Sequence, residues 1–344
     1  MTLSLPPAHC RIAITMGDPC GIGPEIVVRA LGPRPPRDAF VIGDPEVMRR
    51  AVALTQVPLQ VAVIDDPDDL QALPPTALAV FPPPGLPARL ADLPFGRVDA
   101  RAGAAAARCI EQAVACVRSR QAGAITTAPI NKAALSAAGL SWPGHTEMLQ
   151  ALASPGGDPP PVRMMLESPE LRVVLVTIHL SLRRAIDAVT FDSVLQTLRI
   201  ANAASLRLGW SGRRLAVAGL NPHAGEDGLF GDEEARIIAP AIAAARAEGI
   251  DAHGPYPPDT VFMQARHRPG QPRAFDAVIA MTHDHGLIPV KYLGVEEGVN
   301  VTLGLPFVRT SPDHGTAFDI AGTGRADPRS LERALSVARA ALSR

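Results

Sequence analysis

Cysteine is scarce, and its spacing argues against chemistry. The four cysteines (Cys10, Cys20, Cys109, Cys116) contain no C-x-x-C pair. They read as small buried hydrophobes with no redox or metal role, Cys109 and Cys116 lying seven apart on one face of a helix. Charge of one sign is lacking too: 33 basic residues stand against 34 acidic ones. No basic stripe points to nucleic acid and no acidic tail to a solvating arm, so any anion site is local. No apolar run reaches the roughly 18–20 residues that span a bilayer. The opening MTLSLPPAHCR has neither the cationic nor the apolar region of a signal peptide. A cytoplasmic protein is the expectation. Internal repeats are absent, as is the dinucleotide-binding G-x-G-x-x-G. The nearest stretch, GDPCGIGPE at 17–25, has the wrong spacing, which argues against a Rossmann cofactor site.

What is present is a globular composition, 47% apolar over 344 residues, enough for one large unit or two medium domains with a buried core. Short β-branched runs alternate with longer Ala-rich amphipathic stretches. Strands are expected at 11–16, 40–43, 59–64, 77–81, 123–129, 162–167, 171–178, 214–220 and 276–281, and helices at 99–121, 190–208, 231–248 and 328–342, with another opening near Pro24. This alternation implies an α/β sheet covered on both faces. Proline-rich segments at 32–36, 82–87 and 155–161 read as surface connections.

Four strand ends run into dense polar or glycine clusters: GDPCGIGPE (17–25), TTAPINK (126–132) with GHTEM (144–148), GLNPHAGEDG (219–228) and THDHGLIPVK (282–291). Ligands of open α/β sheets bind outside the carboxyl ends of strands, so four such clusters suggest one shared cleft. His179, His223 and His283 each follow an apolar strand, and their wide separations exclude a local zinc motif. Three neutral imidazoles with an open fourth position would hold a divalent ion able to take a substrate oxygen, while each histidine alone is more simply a hydrogen-bonded core or surface residue. His9, His253 and His267 read as solvated loop residues. Lys291, Asn300 and Arg309 recur nine residues apart in a β context, with cationic groups suited to a phosphate or carboxylate. The segment DHGTAFDIAGTGRADP (313–328), rich in backbone donors before the last helix, is the candidate cofactor loop.

GDPCGIGPE, TAPINK, GHTEM, GLNPHAGE, HD-x-G-L-I-P-V-K and GVNVTLGLPFVRTSPDHGTAFDIAG, in order over roughly 11–330, resemble the 4-hydroxythreonine-4-phosphate dehydrogenases. The first and last blocks are also similar to those of isopropylmalate and isocitrate dehydrogenases. The resemblance implies a two-domain α/β/α sandwich of isopropylmalate dehydrogenase-like type with a central cleft, one cofactor-side domain of 1–135 plus 305–344 and one metal, substrate and dimerisation domain of 136–304. It implies a homodimer whose site draws on both subunits, and one divalent ion (zinc, cobalt or magnesium) per subunit on His179, His223 and His283. It assigns substrate contacts to His145, Thr146, Lys291, Asn300 and Arg309, and NAD or NADP contacts to His314, Gly315, Thr316, Ala317 and Asp319. One departure stands out: His285 replaces the glutamine common in the family's HDQG.

The implied reaction oxidises 4-phosphooxy-L-threonine to a β-keto acid, which loses carbon dioxide to give 3-amino-2-oxopropyl phosphate on the way to pyridoxal 5'-phosphate. Relatives acting on threonate or erythronate phosphates share the scaffold, and a metal-dependent hydrolase or aldolase would use the same histidines without a nicotinamide. A binding protein without catalysis would keep only the anion site. No general base is singled out, Asp259 and Lys132 being candidates. Arg325 and Arg329 are available to a 2'-phosphate. Read as extended, THDHG turns His283 and His285 to one face.

Overall fold

The computed structural model describes residues 10–142 and 144–343. Residues 1–9, His9 among them, lie outside these. The chain forms two compact units, one running to Pro160 and resuming at Leu305–Ser343, the other comprising Pro161–Gly304.

Up to Pro160 the order is β1 (Ile12–Thr15), α1 (Gly23–Leu31), β2 (Ala39–Ile42), α2 (Pro45–Thr55), β3 (Gln60–Val63), β4 (Ala77–Phe81), α3 (Ala100–Arg118), β5 (Ala124–Thr127), α4 (Lys132–Ala137) and α5 (His145–Ala153). The second unit holds β6 (Arg163–Glu167), β7 (Arg172–Leu175), α6 (Leu182–Ala188), α7 (Phe191–Arg207), β8 (Leu215–Ala218), α8 (Ala239–Ala247), β9 (Ala252–Tyr256), α9 (Val261–Ala265), β10 (Ala277–Ala280), α10 (His283–Tyr292) and β11 (Val299–Leu303). The chain then returns to the first unit with β12 (Val308–Pro312) and α11 (Arg329–Leu342).

The first unit's sheet runs β3-β4-β2-β1-β5-β12, parallel throughout. Its central strands, IAIT and AFVI, are buried at every position, as a parallel sheet covered on both faces requires. The second unit's order is β11-β6-β7-β10-β8-β9. There β6 pairs antiparallel with β11 and β7, while β7, β10, β8 and β9 run parallel. Its core joins Leu166, Val173, Leu175, Val278 and Ala280 to Val261, Leu287 and Val290 of the covering helices. Helix starts follow local chemistry: Asp44 caps α2 by accepting from the Glu46 and Val47 amides, with Pro45 at the first turn, and Thr190 and Ser193 form a reciprocal capping box on α7. No helix among the described residues is long and apolar enough to cross a membrane.

Three expectations need correction. THDHG is not extended: Thr282 precedes α10, which begins at His283. Apolar residues follow at Leu287, Ile288 and Val290, and Leu287 and Val290 bury one face. Lys291 therefore sits in the last turn of this helix and not in a β context, whereas Asn300 and Arg309 do lie on β11 and β12. His253 is likewise on β9, beside Asp251, and not in a loop.

Helices α3 and α4 meet at Gly103, where an added Cβ would stand 2.1 Å from the Ala134 carbonyl oxygen. Glycine to alanine inside a helix ordinarily stabilises, by up to about 1 kcal/mol. Here backbone blocks the methyl, and Gly103→Ala should destabilise by about 1–3 kcal/mol. Urea midpoints at constant m test the sign.

Candidate active site

Parallel pairing sets β7, β10 and β8 side by side, so the segments leaving their carboxyl ends emerge together. His179, His223 and His283 follow Leu175, Ala218 and Ala280, three to five residues past each strand. The ladder between β7 and β10 continues beyond the strands. Val176 donates to the Ala280 carbonyl, and Thr177 donates to the Met281 carbonyl through both its amide (3.2 Å) and its hydroxyl (2.8 Å). That continuation brings the His179 and His283 rings to 5.6 Å between centroids. Asp284 accepts from, or is paired with, His283 Nδ1 at 2.7 Å.

A cavity of about 380 Å³ opens on these two rings, lined also by Thr177, Thr282, Leu182 and His285. Two residues along a helix, His285 does not share His283's face. It lies edge-on to Phe262 (6.0 Å), and burial pushes its pKa down.

His223 stands apart. Its ring faces Phe230 at 6.0 Å, and no group of three His, Cys, Asp or Glu residues is close enough to hold an ion among the described residues. The loop carrying it is unusual. His223, Ala224, Gly225, Glu226 and Asp227 all have left-handed backbone, with φ between 43° and 86°. A left-handed L-residue costs about 1–2 kcal/mol, so four non-glycine examples among these five residues need support from outside the turn. Glu234 supplies it, accepting from the amides of Leu220 (2.7 Å) and Asn221 (2.8 Å) and from Asn221 Nδ2 (2.9 Å). Burial alone would raise this carboxyl's pKa, but the donated hydrogen bonds outweigh it and hold the pKa down.

In the first unit, Arg309 on β12 is only 3% exposed and donates from Nη2 to Thr127 Oγ1 at 2.7 Å. Burial lowers its pKa to about 10, which leaves it cationic at neutral pH. His145 opens α5, with Thr146 beside it. Burial, assisted by the Arg309 charge, drives the His145 pKa well below its ordinary value. Its Nε2 is enclosed, with no hydrogen-bond partner among the described residues. The imidazole is therefore neutral beside a fixed cation, a pairing suited to an incoming anion whose oxygen takes an N–H from it.

The 313–328 segment is docked onto the first motif. Ile22 donates to the Thr316 carbonyl (3.0 Å), and the buried Glu25 carboxylate accepts from the Gly322 amide (2.6 Å). Arg29 grips the Gly324 carbonyl. Within the segment Thr316 is buried, His314, Gly315, Ala317 and Asp319 lie toward the surface, and Ala317 has a φ of 41°. Arg329 is engaged by Asp327, Nη2 to Oδ2 at 2.6 Å. Of the general-base candidates, Asp259 and Lys132 are both exposed.

Sequence reasoning missed three of the buried carboxylates, Asp18, Glu25 and Glu234. Each lies in or just after a glycine-rich motif, and a carboxylate there was the available signal.

Parallel strands ending in histidines, a buried arginine and a donor-rich loop docked on the first strand–helix turn define an α/β enzyme for a small anionic ligand. The family model described as "Pyridoxal phosphate biosynthetic protein PdxA" matches residues 36–338, and the chain belongs to this family. The 4-hydroxythreonine-4-phosphate dehydrogenase of Beijerinckia indica is 52% identical over 95% of this chain and 94% of its own. The D-threonate 4-phosphate dehydrogenase of Pectobacterium atrosepticum is 46% identical over 95% and 98%. Among solved structures, a 4-hydroxythreonine-4-phosphate dehydrogenase from Klebsiella pneumoniae superposes with a TM-score of 0.85 at 43% identity, covering 97% of this chain and 98% of that one.

Asp18, fully buried at the end of β1, accepts from the Cys20 amide at 2.8 Å through one oxygen, while the other lacks a hydrogen bond among the described residues. Burial, with Asp99 adding to it, raises its pKa from 3.8 to about 6. The folded state thus binds this proton more tightly than the unfolded one, and the group costs stability as pH rises from about 4 through 6. Asp18→Asn should gain about 2–3 kcal/mol over the parent at pH 7 and nothing below about pH 4. Paired denaturation curves across that range decide it.

Proposed function

We propose that this protein is a nicotinamide- and divalent-metal-dependent dehydrogenase that oxidises 4-phosphooxy-L-threonine to 2-amino-3-oxo-4-phosphooxybutanoate, which decarboxylates to 3-amino-2-oxopropyl phosphate. The observation that carries the reading is the buried Arg309 cation beside the neutral, enclosed His145, in a chain of this family. We assign Arg309, His145 and Thr146, with Lys291 and Asn300, to the phosphorylated substrate. A phosphate held by fixed donors lets binding remote from the reacting carbon orient it. His145, kept neutral by burial and by Arg309, donates one N–H to the bound anion and adds no second charge to desolvate.

His179 and His283 suit a divalent ion in kind, their ring centroids lying 5.6 Å apart, and we assign them and His223 to it, one ion per subunit. Such an ion, when bound, would polarise the substrate hydroxyl and favour its deprotonation near neutral pH. The hydride would go to a nicotinamide, NAD or NADP, held by His314, Gly315, Thr316, Ala317 and Asp319. Asp327 pairs with Arg329, at 2.6 Å from Nη2 to Oδ2. We also read the protein as a homodimer with a shared site. Leu180 and Leu182 beside His179, and Leu229 and Phe230 beside His223, are exposed apolar residues that a second copy would cover.

A second reading, oxidation of D-threonate 4-phosphate, is favoured by the activity named for the Pectobacterium relative. Cofactor reduction with 4-phosphooxy-L-threonine, D-threonate 4-phosphate and erythronate 4-phosphate separates the readings, and the first should give the highest kcat/KM. No reduction with any of the three would sink the dehydrogenase proposal.

Two variants probe the assignments. Arg309→Ala should lose about tenfold to a hundredfold in kcat/KM for the phosphorylated substrate while the cofactor KM holds. An equal loss of cofactor affinity would move the residue to the nucleotide site. His283→Ala should lose bound metal and turnover together, whereas His285→Gln keeps both, because α10 turns the two side chains apart. Metal analysis of the purified variants distinguishes them.

A further inference from the structure

The opening of α1 turns one side to the 313–328 segment. Ile22, Glu25 and Arg29 stand three and four residues apart, the spacing that puts groups on one face of a helix. Each holds a different point of the segment. The Ile22 amide donates to the Thr316 carbonyl (3.0 Å), Glu25 Oε1 accepts from the Gly322 amide (2.6 Å), and Arg29 Nη2 donates to the Gly324 carbonyl.

Between these points the segment has little room. A Cβ on Gly21 would stand 2.9 Å from Thr316 Cβ, and one on Gly96 2.6 Å from the Phe318 carbonyl oxygen, while one on Gly322 would run into the Phe95 ring. Arg50 ties the underlying pieces together. It lies 4.1 Å over the Phe95 ring and donates to the carbonyls of Pro19 (2.6 Å), Ala91 and Leu93 (both 2.7 Å). Of the three attachments, only Glu25 reaches the segment with a side-chain acceptor. It is 1% exposed, and its second oxygen has no hydrogen bond among the described residues. Gly322 has a φ of 79°, which turns its amide out of any regular ladder and onto this carboxyl. Removing the acceptor would strand that amide.

We propose that Glu25 is a positioning residue for the nicotinamide cofactor, pinning the 316–324 stretch to α1 in the ligand-free protein. This role rests on the reading of 313–328 as the cofactor segment. The groups of the segment that face α1 are spent on docking, and His314, Gly315, Ala317 and Asp319 are left toward the surface. A segment ordered before the dinucleotide arrives need not be ordered by it, so affinity is gained through preorganisation. What Gly322 requires is an acceptor oxygen, which an amide side chain also supplies.

The test uses the full-length protein in four forms: parent, Glu25→Ala, Glu25→Gln and Gly315→Phe. Gly315 has open space where a side chain would stand, so the ring covers the outer surface of the segment without disturbing its dock. Backbone amide exchange of 313–328 is followed by mass spectrometry, and binding of NAD, NADP and 4-phosphooxy-L-threonine by calorimetry. Glu25→Ala should speed exchange at least about tenfold and weaken the preferred dinucleotide about tenfold, with the phosphorylated ligand held within about twofold. Glu25→Gln should return both to within about threefold of the parent. Gly315→Phe should keep parental exchange and lose dinucleotide affinity. The positioning role is overturned if Glu25→Ala matches the parent within about twofold in exchange or in dinucleotide affinity, if it weakens both ligands equally, or if Glu25→Gln does no better. If Gly315→Phe binds dinucleotide like the parent, or the parent binds neither dinucleotide, the cofactor assignment fails instead and the role falls with it. Should Glu25→Ala fail to fold, Glu25→Asp, one carbon shorter on the same charge, decides in its place.

Discussion

Parallel pairing of β7, β10 and β8 is the constraint on which the candidate site depends. Three strands running the same way must release their chains at the same edge, so residues distant in sequence become neighbours without any local motif. Hydrogen bonding then refines what topology allows. The extra rungs from Val176 and Thr177 to the β10 side draw two of the three histidine segments together. The segment after β8 instead folds over its own carboxylate, and His223 keeps company with Phe230.

Buried charge is handled in two opposite ways. Glu234 is an anion whose backbone and side-chain N–H donors outweigh its burial and hold its pKa down. Asp18 and Glu25 are under-satisfied, each with one oxygen lacking a hydrogen bond among the described residues, and burial raises both pKa values. Arg309 belongs to neither pattern. A guanidinium keeps its proton even when burial pulls its pKa to about 10, so it remains a permanent cation where a lysine in similar surroundings would be easier to neutralise.

The sheet was largely legible in the sequence because its strands are short, apolar and buried on both faces. Runs such as DAVIAM and RLAVAGL carry that pattern without alternation. β9, as AHGPY, does not: its glycine and proline disguise it as a turn. THDHGLIPVK misled for a different reason. Its polar opening reads as a loop because propensity does not register that Gly286 lets α10 pack directly on Val173, Leu175 and Ala280, a tertiary contact that makes the helix. The positions of His145 and Arg309 were legible through their motifs. Glu234 was signalled only by its place just after a glycine-rich motif, because two of its donors are backbone amides, which leave no trace in residue type.

The helical state of α10 also governs how this segment can change length. Along a helix each residue advances 1.5 Å and turns 100°, so removing one residue between His283 and Lys291 swings one against the other by more than a quarter turn. In a strand, the loss of two residues would restore the original facing. Here it would leave the lysine nearly opposite, with Leu287 or Val290 pulled out of the core as well. The stretch is therefore closed to insertions and deletions of one or two residues, which turn one end of the helix against the other by about 100° or 200°.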